Sequence, residues 1–124
     1  MFQKLARSAF AVGTIGIVIV SLLPAEELPS LGLWDKLEHA VAYAVVAALG
    51  GLAWAGRTRA WAAIGVSLVL LGVVLEILQS MVPGRTSDPA DAAANLVGTL
   101  IGLGGIAALG RMAGPASRLG HPGR

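Results

Sequence analysis

Four long stretches of this chain carry no formal charge, and no other feature constrains its fold so tightly. Residues 8–25, 40–56, 60–75 and 92–110 contain no Asp, Glu, Lys or Arg. A helix of about 20 apolar residues crosses the ~30 Å hydrocarbon core of a bilayer. Only 13% of the residues are charged, against about 25% in a soluble domain, and the mean hydropathy is +0.77. Lipid is therefore the expected solvent. Backbone groups cannot go unpaired in lipid, and the runs show no strand-like alternation, so helices are expected rather than barrel strands.

The fold class is all-α: a polytopic membrane protein with four transmembrane helices in an antiparallel bundle. The spans fall at about residues 5–23, 35–55, 60–81 and 88–109, within a single domain over residues 1–110. The tail over residues 111–124, rich in Gly, Pro and Arg, is expected to be cytoplasmic and disordered. The first span also has the look of a signal peptide, but Leu22-Leu23-Pro24-Ala25 is a poor cleavage site, so retention is favoured.

Loop charges orient the chain. Lys4 and Arg7 precede the first span, Arg57 and Arg59 join the second and third, and Arg111, Arg118 and Arg124 follow the fourth. With four spans these fall on one side, which the positive-inside tendency makes cytoplasmic. Both termini are then inside, and Glu26, Glu27, Asp35, Arg85 and Asp88 are outside. Trp34, Trp54 and Trp61 sit at span ends, as interfacial aromatics do. The absence of cysteine excludes disulfide frameworks, thiolate metal sites and cysteine nucleophiles. No basic stripe exists for nucleic acid despite a net charge of +2, because the basic residues stand singly.

Polar residues gather in the outer half of the predicted bundle: Asp35, Lys36 and His39 on the second span, Glu76 and Gln79 on the third, and Arg85, Asp88, Asp91 and Asn95 on the last loop and fourth span. At 1.5 Å per residue, His39 lies roughly 6 Å below Asp35, Glu76 roughly 9 Å from the end of its span, and Asn95 roughly 10 Å below Asp88. The depths agree, so a shared layer is expected. A 3.6-residue period puts Gly65, Gly72, Glu76 and Gln79 on one face, and Asp88, Asp91, Asn95, Gly98 and Gly102 on another. Asp35, His39 and Tyr43 share a third. Gly98-x-x-x-Gly102 is a helix-packing motif that lets a neighbouring backbone approach closely.

Plainer roles compete for these residues. Asp88-Pro89-x-Asp91 reads as an N-cap, an N1 proline and a first-turn acid, and Asp35 with Glu38 has capping-box-like spacing. Lys36 is read first as an interfacial side chain reaching toward water, and Arg85 as a loop residue paired with a headgroup or Asp88. Gln79 and Asn95 serve equally well as interhelical hydrogen-bonding groups. Glu76 resists such a reading: an ionisable group inside a span costs about 2.5 kcal/mol or more at the bilayer centre and normally faces a partner or a cavity. His39 and Arg85 are the expected partners. The first span carries none of this set and reads as scaffold.

Asp35-Lys36-x-x-His39, then Glu76-x-x-Gln79, then Arg85-x-x-Asp88-x-x-Asp91-x-x-x-Asn95-x-x-Gly98-x-x-x-Gly102 resembles the VanZ-like membrane proteins. The likeness covers the last three spans without a departure from the pattern. It implies a multi-pass protein of the bacterial cell membrane, in a family named for a member that raises resistance to the lipoglycopeptide teicoplanin. It assigns no reaction to any residue.

Two functions of different class fit. The first is an outer-leaflet binding site, made by Asp35, Lys36, His39, Glu76, Gln79, Arg85, Asp88, Asp91 and Asn95, for a lipid headgroup, a lipid-linked cell-wall intermediate or a lipoglycopeptide, contributing to antibiotic resistance or envelope function. The second is a membrane enzyme acting on a lipid phosphate, with His39 and Glu76 as nucleophile or general acid/base and Arg85 stabilising charge. A divalent metal on Asp88, Asp91, Glu76 or His39 is a variant of the second; the first needs neither metal nor cofactor. A small transporter ranks last, because four spans leave little room for alternating access.

Overall fold

The computed structural model describes residues 1–28 and 34–114. The tail expected to be disordered lies outside these residues from position 115 onward, with Arg118, His121 and Arg124. Four α-helices follow in order: α1, Phe2–Leu22; α2, Asp35–Ala53; α3, Thr58–Gln79; and α4, Pro89–Ala113, with a 3-10 turn at Ala25–Glu27 after α1. Each α-helix is long and apolar enough to cross a membrane, and no strand occurs among the described residues.

Helix ends depart from the predicted spans for local reasons. α1 begins at Phe2 and takes in Lys4 and Arg7. α2 stops at Ala53 because Gly56, at φ +77°, turns the chain toward α3 in a conformation that side-chain-bearing residues rarely adopt. α4 runs to Ala113, so Arg111 is helical rather than part of a tail.

Side chains divide by environment. Val12, Ile15, Val66, Leu70, Ile77, Leu100 and Ile101 are exposed, as lipid-facing residues of a membrane helix are. Inside lie Val46, Ala47, Ile64 and Leu68, with Phe10, Ile17 and Leu103 packed against them. The seam between α2 and α4 is the closest approach. A Cβ at Gly98 would run into the backbone carbonyl of Ala40, and one at Gly102 into the carbonyl of Ala44, with the Ala47 Cβ at 2.8 Å. Without side chains there, the two backbones touch. Their register rises together, Ala40 against Gly98 and Ala44 against Gly102, so α2 and α4 run side by side in the same sense.

The end of the molecule holding Trp54 is closed by its own side chains. The Trp61 indole N–H donates to the carbonyls of Gly51 (3.1 Å) and Trp54 (3.0 Å), satisfying acceptors at the α2 C-terminus that have no partner within the helix. Phe10 meets Trp54 edge to face at 5.7 Å, and the Arg7 guanidinium lies 5.2 Å from the Trp54 ring while donating to the Ala53 carbonyl. Trp54 and Trp61, two of the tryptophans expected at the interface, thus also close this end.

Candidate functional site

The opposite end is built around the start of α4. Asp88 is its N-cap and accepts from the Ala90 amide at 2.9 Å; Pro89 follows at the first helical position and Asp91 stands in the first turn. The α2–α4 seam brings the first turn of α2 alongside. There Lys36 Nζ donates to Asp88 Oδ2 at 2.6 Å and to Asp91 Oδ1 at 3.0 Å. This overturns the interfacial reading of Lys36, which ties two helices together instead of reaching for water. Asp88 lies just outside the helix, and the Lys36 ammonium, with the Ala90 amide, holds its carboxyl below the usual carboxylate range.

Asp35 does not cap α2. Trp34 is the N-cap, no side chain bonds there, and the box with Glu38 does not form. The exposed Asp35 carboxylate instead faces His39 one turn on, its Oδ1 4.0 Å from Nε2, while Asp91 Oδ2 approaches the same nitrogen at 3.9 Å. The other ring nitrogen, Nδ1, lies 3.0 Å from Asn95 Oδ1. A carbonyl oxygen only accepts, so in this contact Nδ1–H donates to Asn95, and Nε2 is the nitrogen turned toward the two carboxylates. Asn95 is buried and backed by Thr99, whose hydroxyl donates to the Asn95 carbonyl at 2.8 Å.

Glu76 lies behind this group. It is 5% exposed, and neither carboxylate oxygen has a hydrogen-bond partner among the described residues. The expected bonds to His39 and Arg85 are not made. Gln79 is buried one turn further along the same face. Gly72 opens the room beneath: a Cβ there would stand 3.0 Å from Asn95 Nδ2 and 3.3 Å from the Tyr43 hydroxyl, which is itself buried without a partner.

A cavity of about 280 Å³ opens beside the group, between α1 and α2. Gly16, Ile17 and Val20 of α1 form one wall, and Asp35, Glu38, His39 and Tyr43 of α2 the other, with Leu28 and Arg85 across its mouth. The scaffold reading of α1 is therefore corrected: it is a wall of the site. Arg85 does not pair with Asp88. Its Nη2 donates to the Ser21 carbonyl at 3.3 Å, which anchors the guanidinium at the mouth, and it makes no ion pair among the described residues. Of the three candidate catalytic residues, His39 and Arg85 line the cavity and Glu76 does not. Gly16, Ile17, Val20 and Glu38 escaped sequence reasoning, because no polar signal marks an apolar wall and the capping pattern absorbed Glu38.

No family model matches the chain, and no match is found among curated proteins or solved structures. The functional reading rests on the geometry of this end and on the spacing of its polar residues.

Proposed function

We propose that the chain is a multi-pass protein of the bacterial cell membrane, similar to VanZ-like proteins, whose cavity binds the headgroup end of an amphiphile at the outer leaflet. In this reading the four helices cross the membrane alternately with both termini in the cytoplasm, so α2 and α4 run the same way and the Asp88 end faces outward. The basic residues Lys4, Arg7, Arg57 and Arg59 then sit on the cytoplasmic side.

One observation carries the reading: the cavity has two chemically distinct sides and an arginine at its mouth with no carboxylate bonded to it. The α1 wall suits an acyl or isoprenoid chain. The α2 wall offers carboxylates and an imidazole to hydroxyl and amine groups, and Arg85 suits a phosphate or carboxylate through paired N–H donors. A lipid-linked cell-wall intermediate and a lipophilic glycopeptide both present this combination at the outer leaflet, and occupancy by either connects the site to envelope function or antibiotic resistance.

Photo-crosslinking tests this directly. A phospholipid with a photoactivatable group near its phosphate is expected to label residues 16–21 and 35–43 of the reconstituted protein, with loss of that label in Arg85→Ala. Competition by a lipoglycopeptide would assign the site to that ligand class, and competition by an undecaprenyl phosphate to the other. Labelling spread evenly over all lipid-facing helix surfaces, unchanged in Arg85→Ala, would overturn the proposal.

A further inference from the structure

His39 Nε2, a carboxylate oxygen of Asp35 and one of Asp91 lie within 4.8 Å of one another. We infer that these three residues form a divalent-cation site at the floor of the outward end, with Asn95 setting the imidazole for coordination. The site does not depend on what occupies the neighbouring cavity.

The arrangement of hydrogen bonds favours an ion. Nδ1–H donates to Asn95 Oδ1, so Nε2 is the ring nitrogen that faces Asp35 and Asp91, whose oxygens stand 4.0 and 3.9 Å from it. Those separations are too long for hydrogen bonds. Donors held about 2.1 Å from one ion stand roughly 3–4 Å apart; the two nitrogen–oxygen separations already fall there, and the triad as a whole, within 4.8 Å, needs only a small inward movement of the exposed Asp35 carboxylate. A metal-bound histidine almost always donates its second N–H to an oxygen acceptor behind it, and Asn95 is that acceptor.

Glu76 supplies an independent indication. Its carboxylate is buried on the adjoining helix, and no side chain among the described residues donates to either oxygen. Asp91 and His39 of the triad both lie near it. A negative charge buried beside the triad is stabilised by a cation held there. With their carboxylates ionised, Asp35, Glu38, Asp88, Asp91 and Glu76 face only Lys36 and Arg85 as fixed cations, and a divalent ion reduces the difference.

The donor set narrows the ion. One imidazole with two carboxylates suits Zn²⁺ or Mn²⁺ better than Mg²⁺ or Ca²⁺, which favour all-oxygen shells. Three protein donors leave coordination positions open, and Asp35 and His39 both line the cavity, so those positions face the space where a ligand oxygen would lie.

Calorimetric titration tests the site. The full chain, stripped of metal and held in phosphatidylcholine nanodiscs, is titrated with Zn²⁺ and separately with Mn²⁺, with helix content checked by circular dichroism. One ion per chain is expected for at least one of the two metals. Affinity for it should fall at least tenfold in His39→Ala, in Asp91→Asn and in Asp35→Asn, and about tenfold in Asn95→Ala. Glu26→Gln, on the exposed 3-10 turn, is expected to match wild type. Asp35 is exposed and carries no packing, so its variant reports on coordination even where the buried substitutions unfold the protein. Absence of ion uptake by wild type, or wild-type affinity in Asp35→Asn and His39→Ala, overturns the site. So does uptake that appears only when anionic lipid is added and ignores every substitution.

Discussion

The two ends of the molecule treat polar groups in opposite ways. At the Trp54 end, Trp61 bonds two helix-terminal carbonyls, Arg7 bonds a third and covers Trp54, and the aromatic rings close over the result. At the Asp88 end, the Glu76 and Tyr43 side chains are buried with no side-chain partner among the described residues, His39 turns Nε2 toward two carboxylates, and Arg85 faces a cavity. A structure that only needed to stand in a membrane would satisfy both ends, since unpaired buried groups are costly. The contrast is what singles out the Asp88 end as the candidate site, through the contacts its buried polar groups leave unmade.

Substitutions at the two ends should differ in size and sign. Gly98→Ala is expected to act most strongly, because its Cβ meets the Ala40 backbone and the seam that aligns the Asp88 end must open. Overpacking of this kind costs about 3 kcal/mol, measurable by denaturant unfolding in detergent. Glu76→Met removes two unpartnered oxygens and is expected to stabilise the fold by about 1–2 kcal/mol, while weakening binding at the site. A stability gain without functional loss would make Glu76 a defect rather than a site residue. Trp61→Phe keeps the ring and loses only the N–H, so the same measurement should show destabilisation of about 1 kcal/mol. Opposite signs for Glu76→Met and Trp61→Phe are the signature of the contrast.

A smaller effect concerns acid. The Asp88 carboxyl is held below its ordinary value by Lys36 and the Ala90 amide, so its folded form favours ionisation. That contribution is fully present above the ordinary carboxylate value of about 4 and is lost as pH falls through the depressed folded value. Stability measured from pH 7 downward should therefore decline on this account only below about pH 4, and Asp88→Asn should flatten that limb while keeping the cap. An acid limb identical to wild type in the variant would show that the Lys36 pair does not matter in solution.

Much of this was legible in the sequence because the bilayer imposes length and apolarity on every span. Gly98, Gly102, Asp91, Asn95, Glu76 and Gln79 all fall on buried faces as the helical period predicts, and Asp88 caps α4. What was not legible depends on register between helices. Lys36 became a bridge because α2 and α4 rise in step, a fact carried by which carbonyl each glycine meets and not by any spacing along the chain. Asp35 lost the capping role to Trp34, because a carboxylate at the first helical position points outward and finds His39. α1 joined the site through Ile17 and Val20, whose apolar character looks the same whether the neighbour is lipid or a ligand. The end of α2 moved by a few residues where Gly56 sets the turn.

The contrast between the ends is tested most directly by native mass spectrometry of lipid retained through purification, comparing wild type with Arg85→Ala and Arg7→Ala. Both substitutions remove one arginine near a membrane surface, one from each end. The account predicts a bound amphiphile in wild type and Arg7→Ala and its loss in Arg85→Ala. Equal retention in all three proteins, or none in wild type, would contradict it.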